Sequence, residues 1–150
     1  MSLIQKLKAR AENNNPVRVG IIGAGKFGSM YLSQAPRTAG IHLVAVADLS
    51  PARAKESLAR VGWNEARYSA TSLQDAAKSG STFVTDDAEK LIASEHIDIV
   101  IDSTGSPAAG IRHALLCFDH RKHIIMVNVE ADVLAGPLLA RKAAEAGVIY

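Results

Sequence analysis

Six short apolar runs, at residues 17–22, 42–48, 82–84, 97–102, 123–127 and 148–150, divide the chain, and between them apolar side chains recur at three- and four-residue spacing. Unbroken apolar runs suit strands buried on both faces, as in a parallel sheet, and the intervening period is that of amphipathic helices. The alternation predicts an α/β fold: a doubly wound, six-stranded parallel sheet with helices on both sides.

Before the first run, Leu3, Ile4, Leu7 and Ala11 recur at helical spacing and Asn13-Asn14-Asn15-Pro16 breaks the pattern. Residues 1–15 are therefore read as an amphipathic helix and linker, and residues 16–150 as the main domain. Further on, Ser50-Pro51 and Ser106-Pro107 each set a capping hydroxyl before a proline suited to the first helical position, while Gly62 and Gly147 stop helices. One helix carries Ile111, Ala114, Leu115 and Phe118 on its apolar face, and the last carries Leu134, Leu138, Leu139 and Ala143; both faces are expected to cover the sheet. Residues 63–81 exceed a plain crossover and read as an insertion, with a small helix at 72–78 ended by Gly80.

The chemistry concentrates in VRVGIIGAGKFG, residues 17–28, where a strand pattern meets a glycine turn and a helical pattern opens. Gly23, Gly25 and Gly28 fill the slots of GxGxxG, with Ala24, Lys26 and Phe27 between them, and Asp48 ends the next apolar run twenty residues beyond Gly28. In a dinucleotide-binding turn the first glycine permits the tight turn, the second lets backbone approach the pyrophosphate, and the third lets helix and strand pack closely. The pyrophosphate lies on free N–H groups at the positive end of the helix, and an acid at the tip of the second strand accepts from a ribose hydroxyl. Asp48 has that place.

Ligands of open parallel sheets lie beyond the carboxyl ends of the strands, where strand order reverses. Three further segments are expected there. Ser103-Thr104-Gly105 follows the fourth run and reads either as a ribose and phosphate contact or as a helix-entry turn. Asn128-Val129-Glu130 follows the fifth, where Asn128 can meet ribose or carboxamide, and Glu130 either accepts from substrate or complements a helix dipole. Leu49, Ser50 and Arg53 follow Asp48; Ser50 and Arg53 suit a 2′-phosphate that the Asp48 carboxylate would repel, and Arg53 also reads as a solvated helix charge. NADP is the cofactor expected, with NAD the alternative.

Length and composition narrow the rest. At 150 residues and 48% hydrophobic the chain suits one domain with a sizeable core. Seventeen basic and fifteen acidic side chains are interspersed, with no basic block of the kind that follows nucleic acid. The single cysteine, Cys117, lies in an apolar stretch and reads as a packing residue, and no apolar run approaches the roughly 18 residues of a membrane span. The amino-terminal segment lacks the apolar core of a secretory signal, so the cytoplasm is the expected compartment. Five histidines show no metal-ligand spacing, and only His113 is placed near the cleft.

The segments VRVGIIGAGKFGSMYLSQAPRT, VAVADLSPARA, GIRHALL and above all MVNVEADVLAGPLLARKAAEAGVIY resemble the homoserine-dehydrogenase-like Rossmann proteins, and more closely the 1-deoxy-D-xylulose 5-phosphate reductoisomerase-like family. The resemblance implies an NADPH-dependent oxidoreductase that rearranges and reduces a phosphosugar to 2-C-methyl-D-erythritol 4-phosphate for isoprenoid biosynthesis, with help from a divalent metal. It also implies a catalytic and dimerising region after residue 150, which would hold the catalytic residues and metal ligands and build a homo-oligomer. Residues 1–150 alone would then bind nucleotide with little turnover. Homoserine dehydrogenases carry Asn-Lys where this chain has Asn128-Val129, a departure from that branch. A non-catalytic NAD(P) sensor and a methyltransferase are the other readings of the glycine turn.

Overall fold

The computed structural model describes every residue from Met1 to Tyr150. Its central strand is β1 (Val17–Ile22), flanked by β2 (Ile41–Ala47) and β4 (Ile99–Asp102), with β3 (Phe83–Thr85) and β5 (His123–Met126) at the edges. All pairings are parallel and the order is β3-β2-β1-β4-β5. The chain winds outward one way through β2 and β3, then crosses back to β4, which opens a crevice at the carboxyl ends of β1 and β4.

Side-chain alternation along the strands divides the core into two layers. Val19 and Ile21 of β1, Leu43 and Val46 of β2 and Ile101 of β4 face α2 (Lys26–Gln34) and α3 (Pro51–Arg60), where they meet Leu32 and Leu58. On the other face Ile22, Val44 and Val100 pack with α4 (Leu73–Ser79), α5 (Ala88–Ala93), α6 (Pro107–Asp119) and α7 (Val129–Ala146). At Gly110 α6 and α7 come so close that a β-carbon would lie 2.7 Å from the Asn128 amide and 2.9 Å from the Ala131 β-carbon.

The local signals act as read. Ser50 and Ser106 accept from the amides three residues on and precede Pro51 and Pro107, and Gly80 and Gly147 end their helices in left-handed conformation, φ 77° and 71°. The amino-terminal helix is α1 (Leu3–Glu12), and the insertion folds as a 3₁₀ turn at Glu65–Tyr68 followed by α4.

Three expectations are corrected. The sheet has five strands: residues 148–150 run beside β5 with one backbone bond, Ile124 N–H to Ile149 O at 2.9 Å, too little for a ladder. Leu134 and Leu138 are 69% and 44% exposed, and Leu139 and Ala143 make the inward face of α7 with Ala131 and Gly136. Likewise Leu115 points outward, while His113, Ala114, Cys117 and Phe118 turn inward from α6.

Candidate functional site

A cleft of about 700 Å³ opens at the carboxyl ends of β1, β2 and β4. Gly23, Gly25, Asp48, Arg53, Thr104 and His113 are among the residues that line it.

The three glycines do different work, in the order the motif requires. Gly23 has φ 97°, and a β-carbon there would lie 2.8 Å from the Ser103 carbonyl oxygen. A β-carbon on Gly28 would overlap the carbonyl oxygen of Gly23, whereas one on Gly25 would meet nothing within 4 Å. The middle glycine thus presents bare backbone to the cleft, and the other two hold the turn against α2 and β4.

No side chain caps α2. Every other α-helix of the chain has a side-chain cap: Ser2, Ser50, Ser72, Asp87, Ser106 or Asn128. The first amides of a helix lack intrahelical acceptors and sit at its positive end, so an uncapped start beside an open glycine is a cradle for an anion.

Around the turn, protein groups fix its shape. Ser103 Oγ donates to the carbonyl oxygens of Gly23, at 2.8 Å, and Ile22, at 3.1 Å, and Ser57 Oγ donates to Ala24 O. Asp48 accepts from Ala24 N–H at 2.9 Å through one oxygen, and from Ser50 N–H at 2.9 Å and Arg53 at 3.4 Å through the other. Its side chain is only 8% exposed, against 69% for Arg53. Asp48 therefore braces the glycine turn as well as standing at the tip of β2. Ser50 caps α3, and Leu49 is 95% exposed at the cleft edge.

Beneath the β4 end lies a network that the sequence reading missed. Asp102 is fully buried; its carboxylate lies 2.6 Å from His113 Nδ1 and accepts from Thr104 N–H at 3.1 Å and Thr104 Oγ1 at 3.0 Å. Burial pushes the Asp102 carboxyl up, but the bonds from His113 and Thr104 outweigh it and hold the group below its ordinary value. An ionised Asp102 assigns the proton to His113 Nδ1, which leaves Nε2 without a protein partner in a ring that lines the cleft. Asp102 ended a run read as strand, so only its charge in an apolar stretch marked it.

The remaining expected residues divide. Asn128 is 2% exposed: its Nδ2 reaches Ser106 O at 2.7 Å and Thr104 Oγ1 at 3.3 Å, and its Oδ1 caps α7. It orders the loops behind the cleft and does not line it. Val129 and Glu130 border a separate shallow apolar groove with Val133 and Leu134. Lys26 and Phe27 are exposed at the start of α2, and Gly105, with φ 70°, sits in the open loop after Thr104. Asp86 and Arg112 join the lining unannounced by any motif, and Ser106, read only as a helix cap, joins it too.

Cys117 is buried, and burial, with the Asp102 charge adding, pushes its thiol up to about 12. No three ligating side chains gather anywhere in the chain, so the metal implied by the resemblance has no donor set among these residues. No helix is long and apolar enough to cross a membrane.

A switch-point crevice with an uncapped glycine-turn helix is the arrangement of a nucleotide-binding Rossmann domain. Residues 17–127 match the model of the oxidoreductase family with an NAD-binding Rossmann fold, GFO/IDH/MocA, and the chain belongs to that family. Among solved structures, a homoserine dehydrogenase from Thiobacillus denitrificans superposes with TM-score 0.68 at 18% identity, covering 89% of this chain and 28% of that one. A myo-inositol dehydrogenase from Lactobacillus casei, in complex with NAD(H) and myo-inositol, gives 0.64 at 20%, covering 87% and 34%. A biliverdin reductase from Synechocystis sp. PCC 6803, in complex with biliverdin and NADP+, gives 0.60 at 20%, covering 89% and 36%. At these identities the likeness is one of fold. The chain spans about a third of the length of the solved structures it matches. No curated protein matches it. The family model shows an NAD-binding oxidoreductase and does not show the reductoisomerase-like family that the motifs resemble.

Proposed function

We propose that the cleft binds a nicotinamide dinucleotide with its pyrophosphate on the start of α2, and that the chain is the cofactor-holding part of an NAD(P)-dependent dehydrogenase or reductase. The observation that carries this reading is the one uncapped α-helix, beginning at a glycine whose missing side chain faces open cleft. When bound, the nicotinamide supplies or accepts the hydride; the protein supplies position and electrostatics. Asp48 and Ser103 keep the turn in its binding shape, and the Asp102 network fixes Thr104 and His113 at the opposite wall. Calorimetric titration with NADH and NADPH tests it: a Kd below about 1 mM for either is expected, and weaker binding of both overturns it.

The finer reading is a phosphosugar substrate reduced with NADPH, as in 1-deoxy-D-xylulose 5-phosphate reductoisomerase-like enzymes. Its support is the resemblance of residues 126–150 and the absence of lysine after Asn128. Since the chain covers about a third of its structural neighbours, the substrate and oligomer would depend on residues outside it. NADPH-dependent reduction of 1-deoxy-D-xylulose 5-phosphate by a longer form is the expected result, and reduction of aspartate semialdehyde instead would select the homoserine branch.

A further inference from the structure

A second cavity, of about 620 Å³, lies at the opposite end of the sheet from the nucleotide cleft. It is lined at the amino ends of the strands by Arg18, His42, Thr82 and Asp98, and around them by the ends of α1, the 3₁₀ turn and α4. Its charged side chains are Arg10, Arg18, Arg67 and Lys78 against a single carboxylate, Asp98. That carboxylate is already engaged: Arg18 reaches it through Nη2 at 2.6 Å, Nε at 3.1 Å and its own amide at 3.0 Å. Burial pushes the Asp98 carboxyl up, but these bonds and the nearby Arg10 charge together hold it low, so it stays charged and engaged by Arg18.

Arg10, Arg67 and Lys78 remain. Each stands in the last turn of its helix, where a cation is favourable toward the helix dipole and often donates to free carbonyls. Lys122, in the loop after α6, shows what a cation spent on free carbonyls looks like: its Nζ donates to Ser94 O at 2.6 Å and Ile97 O at 2.7 Å. None of the three cavity cations makes such a bond or a salt bridge, although Arg67 lies over the Trp63 ring at 5.6 Å. Moreover, Arg10 Nε is the one buried side-chain nitrogen or oxygen in the chain with no hydrogen-bond partner. A buried donor left unpaired is costly, and a turn of the guanidinium toward the cavity would let a ligand oxygen satisfy it.

We propose that this cavity is a second ligand site, for a small phosphate-bearing molecule carrying two or more negative charges. The volume falls within the ~300–1,000 Å³ of small-molecule pockets. Arginines match phosphate oxygens with paired donors, and the surplus of cations over carboxylates selects a polyanion over a neutral sugar. Because it opens at the other end of the strands from the glycine turn, such a ligand and a dinucleotide would be held at once.

Trp63 is the only tryptophan of the chain, lines this cavity, and is fixed by its Nε1–H bond to Leu32 O at 2.7 Å. Its indole N–H resonance therefore reports this site directly and the glycine turn only through α2, which carries Leu32 in its last turn, and loss of the response on removing the cavity's own cations tells the two apart. Pyrophosphate titrated into the ¹⁵N-labelled chain at constant ionic strength should shift that resonance saturably with a Kd below about 1 mM. In Arg67→Gln/Lys78→Gln the affinity should fall about tenfold or more, with the melting temperature only slightly lowered, since both side chains are exposed. Glucose 6-phosphate binding more tightly than pyrophosphate marks an organic phosphate as the occupant; the reverse order marks an inorganic polyphosphate. An indole resonance that does not move, moves without saturating, or saturates equally in the double variant overturns the proposal, whatever NADH does at the other cleft.

Discussion

His113 Nδ1 lies 2.6 Å from Asp102 Oδ2, with the two side chains 5% and 0% exposed. The pair joins the tip of β4 to the inner face of α6, eleven residues on, and shares its carboxylate with Thr104. One buried charge therefore orders a helix, a loop and a ring that lines the cleft.

Replacing that charge should be felt most in acid. Asp102 is held below its unfolded value, so its stabilisation is fully present above the unfolded value of 3.8 and is lost as pH falls through the lower folded value. Asp102→Asn should cost about 1–3 kcal/mol at neutral pH, because the buried carboxylate that accepts from Thr104 and pairs with His113 is lost. Urea unfolding at a series of pH values checks both points: the variant should be weaker at pH 7 and should show a flatter fall below pH 4.

The glycines of the turn should separate binding from folding. Gly25→Ala adds a β-carbon to open space, so the melting temperature should hold while dinucleotide affinity drops about tenfold. Gly28→Ala drives a β-carbon into the Gly23 carbonyl and should destabilise the fold by about 1–3 kcal/mol. Equal melting temperatures for the two variants would show that α2 does not pack as closely on β1 as described.

Cys117 should behave as an inert core thiol. With its pKa pushed up to about 12, the thiolate fraction at pH 8 is on the order of one in ten thousand, and the sulfur is buried. Labelling with a thiol reagent should be slow in the native chain and complete in urea. Rapid native labelling would mean that α6 opens easily from the sheet.

These features differ in how far the sequence announces them. Gly23, Gly25, Gly28 and Asp48 are legible because the motif is local and its spacing encodes a strand, a turn and a helix in sequence order. The Ser–Pro starts of α3 and α6 are legible for the same reason. By contrast, Asp102, His113 and Asn128 meet only when the β4 tip, α6 and the start of α7 pack together, and no spacing announces that. Periodicity found the stripe holding Leu134 and Leu138 but could not say which side of α7 the sheet takes. Gly110 settles that by drawing the Asn128 and Ala131 face inward. The basic cavity was equally hidden, because Arg10, Arg67 and Lys78 lie on three elements that only the sheet's amino edge unites.

Cofactor preference should turn on Asp48 and Arg53, joined by a loose contact of 3.4 Å in which the guanidinium is mostly exposed. A 2′-phosphate at the tip of β2 would meet a repelling carboxylate and an attracting guanidinium free to swing toward it. Arg53→Ala should therefore weaken NADPH about tenfold and NADH little. For the carboxylate, Asp48→Asn is the better variant, because its amide oxygen can still accept from Ala24 N–H or Ser50 N–H and so spare part of the turn's bracing. With the charge gone, NADPH affinity should rise relative to NADH, and paired titrations of both cofactors against both variants give the ratio directly. Equal losses for NADH and NADPH in Arg53→Ala would remove that side chain from phosphate recognition, and an unchanged ratio in Asp48→Asn would leave the carboxylate with bracing as its sole task.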